Sequence, residues 1–206
     1  MDFRLRNDRT MCVAGPSQSG KTRFLKKLLA QRDDVFHHPF NRIVWCYGVY
    51  QHELHSDMRK QGITLHSGIP SIADLQPYDL IILDDLLNES NSSQDLTKMF
   101  TQTAHHLPCF VIFVSQNLFP KGKDARTRSL NTHYYVIFKN PRDKSQFEVL
   151  ARQMLPTKYK TLVEVFEDAT RQPYGYLFID FTQDCEDKYR YRTNLFQHPM
   201  VIYQIS

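Results

Sequence analysis

The sequence predicts an α/β fold with a largely parallel sheet, and three observations carry that prediction. Short apolar runs alternate along the chain with stretches of helical spacing. In those stretches the apolar residues recur at i, i+3 and i+4 rather than at every second position. Two of the apolar runs also end on polar side chains, LIIL on Asp84 and FVIFVS on Gln116, at the carboxyl ends where open α/β sheets bind ligands. A length of 206 residues suits one domain, 1–206, that buries roughly 70% of its unfolded surface.

The elements follow in order. Strands are expected at Thr10–Ala14, Ile43–Tyr47, Leu80–Asp84, Phe110–Ser115, 134–139 and 176–181. Leu25, Leu28 and Leu29 share one face of a helix after the first strand. Ser92 and Asp95 have capping-box spacing ahead of Leu96, Met99 and Phe100, which marks another helix start. Phe147, Leu150, Ala151 and Met154 form a third stripe, and Tyr159, Leu162, Val163 and Phe166 a fourth; all are core positions. YRYR, residues 189–192, reads as an edge strand with its tyrosines inward and its arginines in water. The alternation also fits stacking or phosphate contacts. The chain shows neither an internal repeat nor a low-complexity segment.

Composition removes several classes. Hydrophobic residues make up 41% and charged residues 23%, ordinary for a globular protein. No apolar run approaches the ~20 residues that cross a bilayer, so no membrane is expected. MDFRLRNDRT has no apolar segment of signal-peptide length, so the protein is expected to stay inside a cell. Cys12, Cys46, Cys109 and Cys185 lie far apart and without a CxxC pair, so reduced and mostly buried thiols are expected rather than disulfides or a zinc site. Net charge is only +4, yet it is local. Residues 121–144 hold seven basic and two acidic side chains, a net +5, which leaves −1 for the rest.

MCVAGPSQSGKTRFLKKLL contains G-x-x-x-x-G-K-[ST] between an expected strand and helix, the context that motif needs. Gly15, Pro16, Ser17, Gln18, Ser19, Gly20, Lys21 and Thr22 would wrap the phosphates of ATP in backbone N–H groups at a helix N-terminus. Lys21 reaches the β and γ phosphates, and the Thr22 hydroxyl ligates Mg2+. A carboxylate at the tip of a neighbouring strand should complete the metal site, and YDLIILDD supplies it. Asp84 would hold magnesium, directly or through water, and Asp85 would orient and deprotonate the attacking water.

These motifs, with the polar strand end at Gln116, resemble the FtsK/HerA superfamily of P-loop ATPases and its viral genome-packaging branch. QNLFPKGKDARTRSLNTHYYVIFKNPRD and LARQMLP, with PYGYLFIDF and YRTNLF, are similar to packaging-ATPase-like proteins of polinton and adintovirus elements, relatives of the poxvirus packaging ATPase. The resemblance covers nearly the whole chain. It implies a P-loop NTPase fold of the additional-strand, RecA/FtsK-like type, with Phe110–Ser115 inserted between the two motif strands. It implies that Gln116 projects between Lys21 and Asp84, hydrogen-bonding the γ-phosphate or the lytic water without competing for the metal. Arg126 matches the family's arginine finger, with Arg142 as second choice, although the nearby Arg128 leaves the assignment open. Asp85 departs from the glutamate common in the superfamily.

The function so implied is an ATP-driven translocase that packs double-stranded DNA into a capsid, as a homo-oligomer of five or six subunits at a capsid vertex. Lys121, Lys123, Arg128 and Lys144 would contact DNA phosphates without regard to sequence, although a solvated surface loop explains them equally well. Two other classes stay open: a P-loop phosphotransferase on a small nucleotide, and a nucleotide-gated, non-catalytic capsid component. HELH, residues 52–55, misses the zincin spacing, and the pairs His37/His38 and His105/His106 lack ligand partners and read as exposed loop histidines.

Overall fold

A computed structural model describes residues 2–86, 109–119, 129–197 and 199–205. The chain is an α/β protein with mixed, mostly parallel β structure flanked by helices. It gathers into two compact units, Met1–Cys12 with Arg32–Ser115 and Pro120–Thr132, and Val13–Gln31 with Gln116–Phe119 and His133–Ser206.

The first unit is built on β1 (Thr10–Ala14, of which residues 10–12 belong here), β2 (Ile43–Tyr47), β3 (Thr64–Ser67), β4 (Leu80–Asp84) and β5 (Phe110–Ser115). Their order is β3-β2-β4-β5-β1, so β5 lies between β4 and β1. The β2–β3, β2–β4 and β4–β5 ladders are parallel. Parallel strands covered on both faces need unbroken apolar runs, and IVWC, LIIL and FVIFV provide them. Alternate residues Val44, Cys46, Ile81, Leu83, Val111 and Phe113 fall on one face and pack with Leu75 and Leu86. Each such aliphatic side chain contributes ~1.5–3 kcal/mol on burial. Among the described residues this unit includes the helices α2 (Arg32–Val35), α3 (His52–Lys60) and α4 (Ile72–Leu75). The Ser71 hydroxyl caps the last of these by accepting from the Asp74 N–H.

The second unit takes Val13 and Ala14 from β1, then α1 (Lys21–Ala30), β6 (Tyr134–Phe138), α5 (Ser145–Met154), α6 (Tyr159–Ala169), β7 (Tyr176–Asp180), β8 (Tyr191–Thr193) and β9 (Val201–Tyr203). The β6–β7, β7–β8 and β8–β9 ladders are antiparallel. Phe147 of α5 and Phe166 of α6 stack with centroids 3.9 Å apart, which joins the two expected stripes, although Met154, Tyr159 and Val163 of those stripes are only half-buried. On α1, Phe24 meets Tyr176 and Phe196 at 5.0 and 5.1 Å, and Leu25, Leu28 and Leu29 are all buried.

Four strands occupy their expected spans, and two end one residue early, at Phe138 and Asp180. YRYR requires a correction. Its strand β8 is interior, paired with both β7 and β9. Tyr191 is buried as expected, but Arg192 is buried too, ion-paired with Asp180 and donating to the Tyr189 carbonyl at 2.8 Å. Arg190 donates to the Asp180 carbonyl at 2.5 Å. Arg192 therefore serves the sheet rather than the solvent, whereas half-buried Arg190 also pairs with exposed Asp187, and Tyr189 and Arg190 precede the strand. Cys12, Cys46 and Cys109 are buried, and burial pushes the Cys46 thiol up to about 12. The helix expected after Ser92 and Asp95, with Leu96, Met99 and Phe100, lies outside the described residues, as do His105 and His106. His37 and His38 are exposed outside helix and strand. Among the described residues no helix is long and apolar enough to cross a membrane.

Candidate functional site

The second unit holds the glycine-rich loop between β1 and α1. Gly15 is buried, and a Cβ there would stand 2.7 Å from the Phe138 Cβ and 2.8 Å from the Ser19 Oγ, so only glycine fits. Gly20 takes φ 113 as the residue preceding α1, a conformation that any other side chain adopts at a cost. Gln18 also has positive φ, 63. The loop is fastened by the Ser19 N–H donating to the Pro16 carbonyl at 3.2 Å, and the Phe24 N–H then donates to the Gly20 carbonyl at 2.8 Å to start the helix.

Lys21 folds back across this loop. Its Nζ donates to the Gly15 carbonyl at 2.6 Å and to the Pro16 carbonyl at 2.9 Å. The ammonium thus rests on carbonyls of its own loop, at the N-terminus of a ten-residue helix whose dipole favours an anion. The Ser19 hydroxyl is buried without a hydrogen-bond partner among the described residues, a polar group left over for something else. Ser17 and Gln18 are exposed on the rim, with Pro16, Lys21 and Thr22 half-buried. Beside the loop stands Tyr174, its Cβ 3.0 Å from where a Gly20 Cβ would be, with the Arg23 guanidinium 5.2 Å from its ring centre.

Gln116 belongs to the same unit and is exposed. It lines a cavity of about 60 Å3 together with Ala14 and Gly15, so the structure brings the first glycine of the motif and the expected polar strand end to one wall. Lys144 lines this cavity as well, with its ammonium 3.6 Å from Glu167 Oε1. Asn140, Asp143 and Gln146, none of them an expected site residue, are also among its lining. The Asn140 Oδ1 accepts from the Arg142 N–H at 3.1 Å. Asp143 accepts from the Ser145 N–H and hydroxyl and from the Gln146 amide, which holds its carboxyl below the usual carboxylate range. Asp143 and Gln146 stand three apart, a capping-box spacing that could have found them. Arg142 itself is exposed on the turn before α5.

The first unit carries the two acidic candidates. Asp84 is half-buried as the last residue of β4, opposite Tyr47 on β2 and Val114 on β5. Its carbonyl accepts from the Gly48 N–H at 3.2 Å. Asp85 is exposed with φ 56, and a Cβ on Gly48 would lie 3.1 Å from its carbonyl oxygen. For magnesium, the Thr22 hydroxyl and the Asp84 carboxylate are hard oxygen donors of the type that ion prefers. Among the described residues no three His, Cys, Asp or Glu side chains gather as a metal cluster. Magnesium held mainly by phosphate and water needs only one or two protein ligands. His52 of HELH is exposed, whereas His55 is buried and accepts the Gln51 N–H at Nδ1, 2.9 Å away.

Lys121, Lys123, Arg126 and Arg128, the expected DNA contacts and arginine finger, lie outside the described residues. No protein-family model matches the chain, and a search of curated proteins returns no relative.

Proposed function

We propose that the protein is an ATPase of the P-loop class that drives double-stranded DNA into a capsid. The observation that carries this reading is the loop of residues 15–22, with its crowded Gly15, left-handed Gly20 and inward Lys21. An ammonium resting on two carbonyls of its own loop is poised to exchange them for phosphate oxygens, a stronger charge-assisted pairing. The orphan Ser19 hydroxyl supplies one more donor, and the β4-β5-β1 order supports the additional-strand class. Magnesium, when bound, neutralises charge developing on the β and γ phosphates; Thr22 and Asp84 would hold it. Asp85 takes the proton of the attacking water, and Gln116 orients that water by donating and accepting at once. Arg126, or else Arg142, is supplied to a neighbouring subunit's γ-phosphate, a contribution of ~10³ to 10⁵ in rate. Lys121, Lys123, Arg128 and Lys144 grip phosphates irrespective of sequence, so binding weakens steeply with salt.

The experiment is ATP turnover against protein concentration, with and without long duplex DNA, for the parent and for Lys21→Ala and Arg126→Ala. Turnover that rises with both variables and falls with either substitution supports the motor. Rates indifferent to concentration and DNA would replace it with a monomeric phosphotransferase. ATP binding without turnover would replace it with a gated capsid component.

A further inference from the structure

Gln116 follows β5 directly in the chain, and two residues later the backbone is caught again. The Leu118 N–H donates to Gln146 Oε1 at 3.0 Å, while Leu118 itself is buried. The other end of the same amide, Gln146 Nε2, donates to Asp143 Oδ2 at 2.8 Å. The remaining oxygen of Asp143 accepts from the Ser145 N–H at 3.1 Å and the Ser145 hydroxyl at 2.6 Å. A continuous hydrogen-bonded path therefore runs from the segment holding Gln116 to the first turn of α5. Gln116, Leu118, Asp143 and Gln146 share with Gly15 the wall of one cavity, so Gln116 cannot shift far without disturbing that path or refilling the space.

We propose that Gln146 is the positioning residue for Gln116: its amide pins the residue 116–119 segment to α5, holding Gln116 in register with the glycine-rich loop and passing its displacement to the Arg142–Lys144 turn. This rests on the ATPase reading above. The chemistry is specific to glutamine, because an amide both accepts at one end and donates at the other. Glutamate would set a second negative charge against Asp143, and the repulsion would draw its carboxylate off the Leu118 N–H. Alanine would leave the Leu118 N–H and one Asp143 oxygen without these partners. The low proton affinity of Asp143 agrees with a carboxylate kept charged by its three donors. Because Lys144 sits on the same turn and on the same cavity wall, movement of Gln116 would reach a basic surface residue through two side chains.

The test uses the full chain with Gln146→Ala, with Gln146→Glu, and with Gln146→Glu combined with Asp143→Asn. In the double variant the hydrogen-bond polarity is reversed yet complete. The amide introduced at position 143 donates to the carboxylate introduced at position 146, and the oxygen of that amide still accepts from Ser145. Two readouts are taken, hydrogen exchange at the Leu118 amide and steady-state ATP kinetics. Each single variant should accelerate Leu118 exchange about tenfold, leave exchange in β6 unchanged, and lower kcat about tenfold with KM for ATP within about twofold. The double variant should regain both the protection and most of kcat, which a merely structural role would not produce. Unaltered Leu118 exchange in Gln146→Ala removes the clamp. Faster exchange with an unchanged kcat shows that the clamp does not position Gln116, and overturns the proposal. A parent that exchanges slowly at Leu118 but never turns over ATP defeats the ATPase reading, and with it the positioning role, while leaving the clamp itself in place.

Discussion

The two units hold their strands together by different means. In the first, β2, β4 and β5 run parallel and present almost nothing but Ile, Val, Leu, Phe, Trp and Cys to the interior. In the second, antiparallel β7 and β8 carry a buried Arg192–Asp180 ion pair, with the Arg192 guanidinium 4.9 Å from the Phe178 ring centre. An apolar strand needs only its neighbours' surface. A buried guanidinium needs every donor matched, and Asp180 and the Tyr189 carbonyl do much of that matching. The difference teaches where substitution should be tolerated: small size changes in the strands of the first unit, charge changes in neither partner of the ion pair in the second.

The largest effect should separate the units functionally. Lys21→Ala, in the second unit, is expected to abolish ATP binding and lower turnover by at least about 10²-fold. Asp85→Asn, in the first, should lower turnover comparably while ATP still binds; nucleotide affinity measured beside turnover distinguishes the two, and equal loss of affinity would break the division of labour. Next in size, Arg192→Ala should cost about 3–5 kcal/mol of stability, because it strands the Asp180 carboxylate in the sheet. Ile82→Val, equally buried in β4, should cost only about 0.5–1.5 kcal/mol. Denaturant titration of both variants reads the contrast, and similar midpoints would show that the ion pair is dispensable.

A smaller effect concerns His55, buried under the Tyr47 and Tyr50 rings at 4.3 and 4.9 Å. Its Nε2 finds no partner among the described residues. Burial, aided by the Arg59 charge, holds its pKa below the ordinary 6.5. The unfolded chain therefore takes up this proton at higher pH than the folded one. Stability from this group is complete above about 6.5 and declines as pH falls from there toward the lower folded value, by at most ~1.4 kcal/mol per pH unit. Melting temperatures at pH 7.5 and 5.5 should differ more for the parent than for His55→Gln.

Much of this architecture is legible in the sequence because long apolar runs and regular stripes report burial directly. LIIL, FVIF and the stripe through Phe147, Leu150 and Ala151 stand where they were expected. The strands that escaped notice are those whose pairing partners, not their composition, make them strands: the polar TLHS of β3, with Thr64 and Ser67 exposed, and the three-residue β9. YRYR misled for a related reason, since alternation shows which residues share a face but not that a carboxylate waits on β7. At the site, the glycines, Lys21 and Thr22 announce themselves through fixed spacing. The link from Gln146 to the Gln116 segment does not, because it depends on Leu118, twenty-eight positions away.

The left-handed backbone at Asp85 bears on why aspartate rather than glutamate stands at this position. At φ 56 most side chains crowd the following peptide, and aspartate, like asparagine, tolerates the geometry best after glycine. The main chain thus favours the shorter acid on conformational grounds alone. Lengthening it to Glu should perturb folding more than neutralising it to Asn, and a chain that accepts glutamate there without loss of melting temperature would have to have relaxed the turn that Gly48 closes.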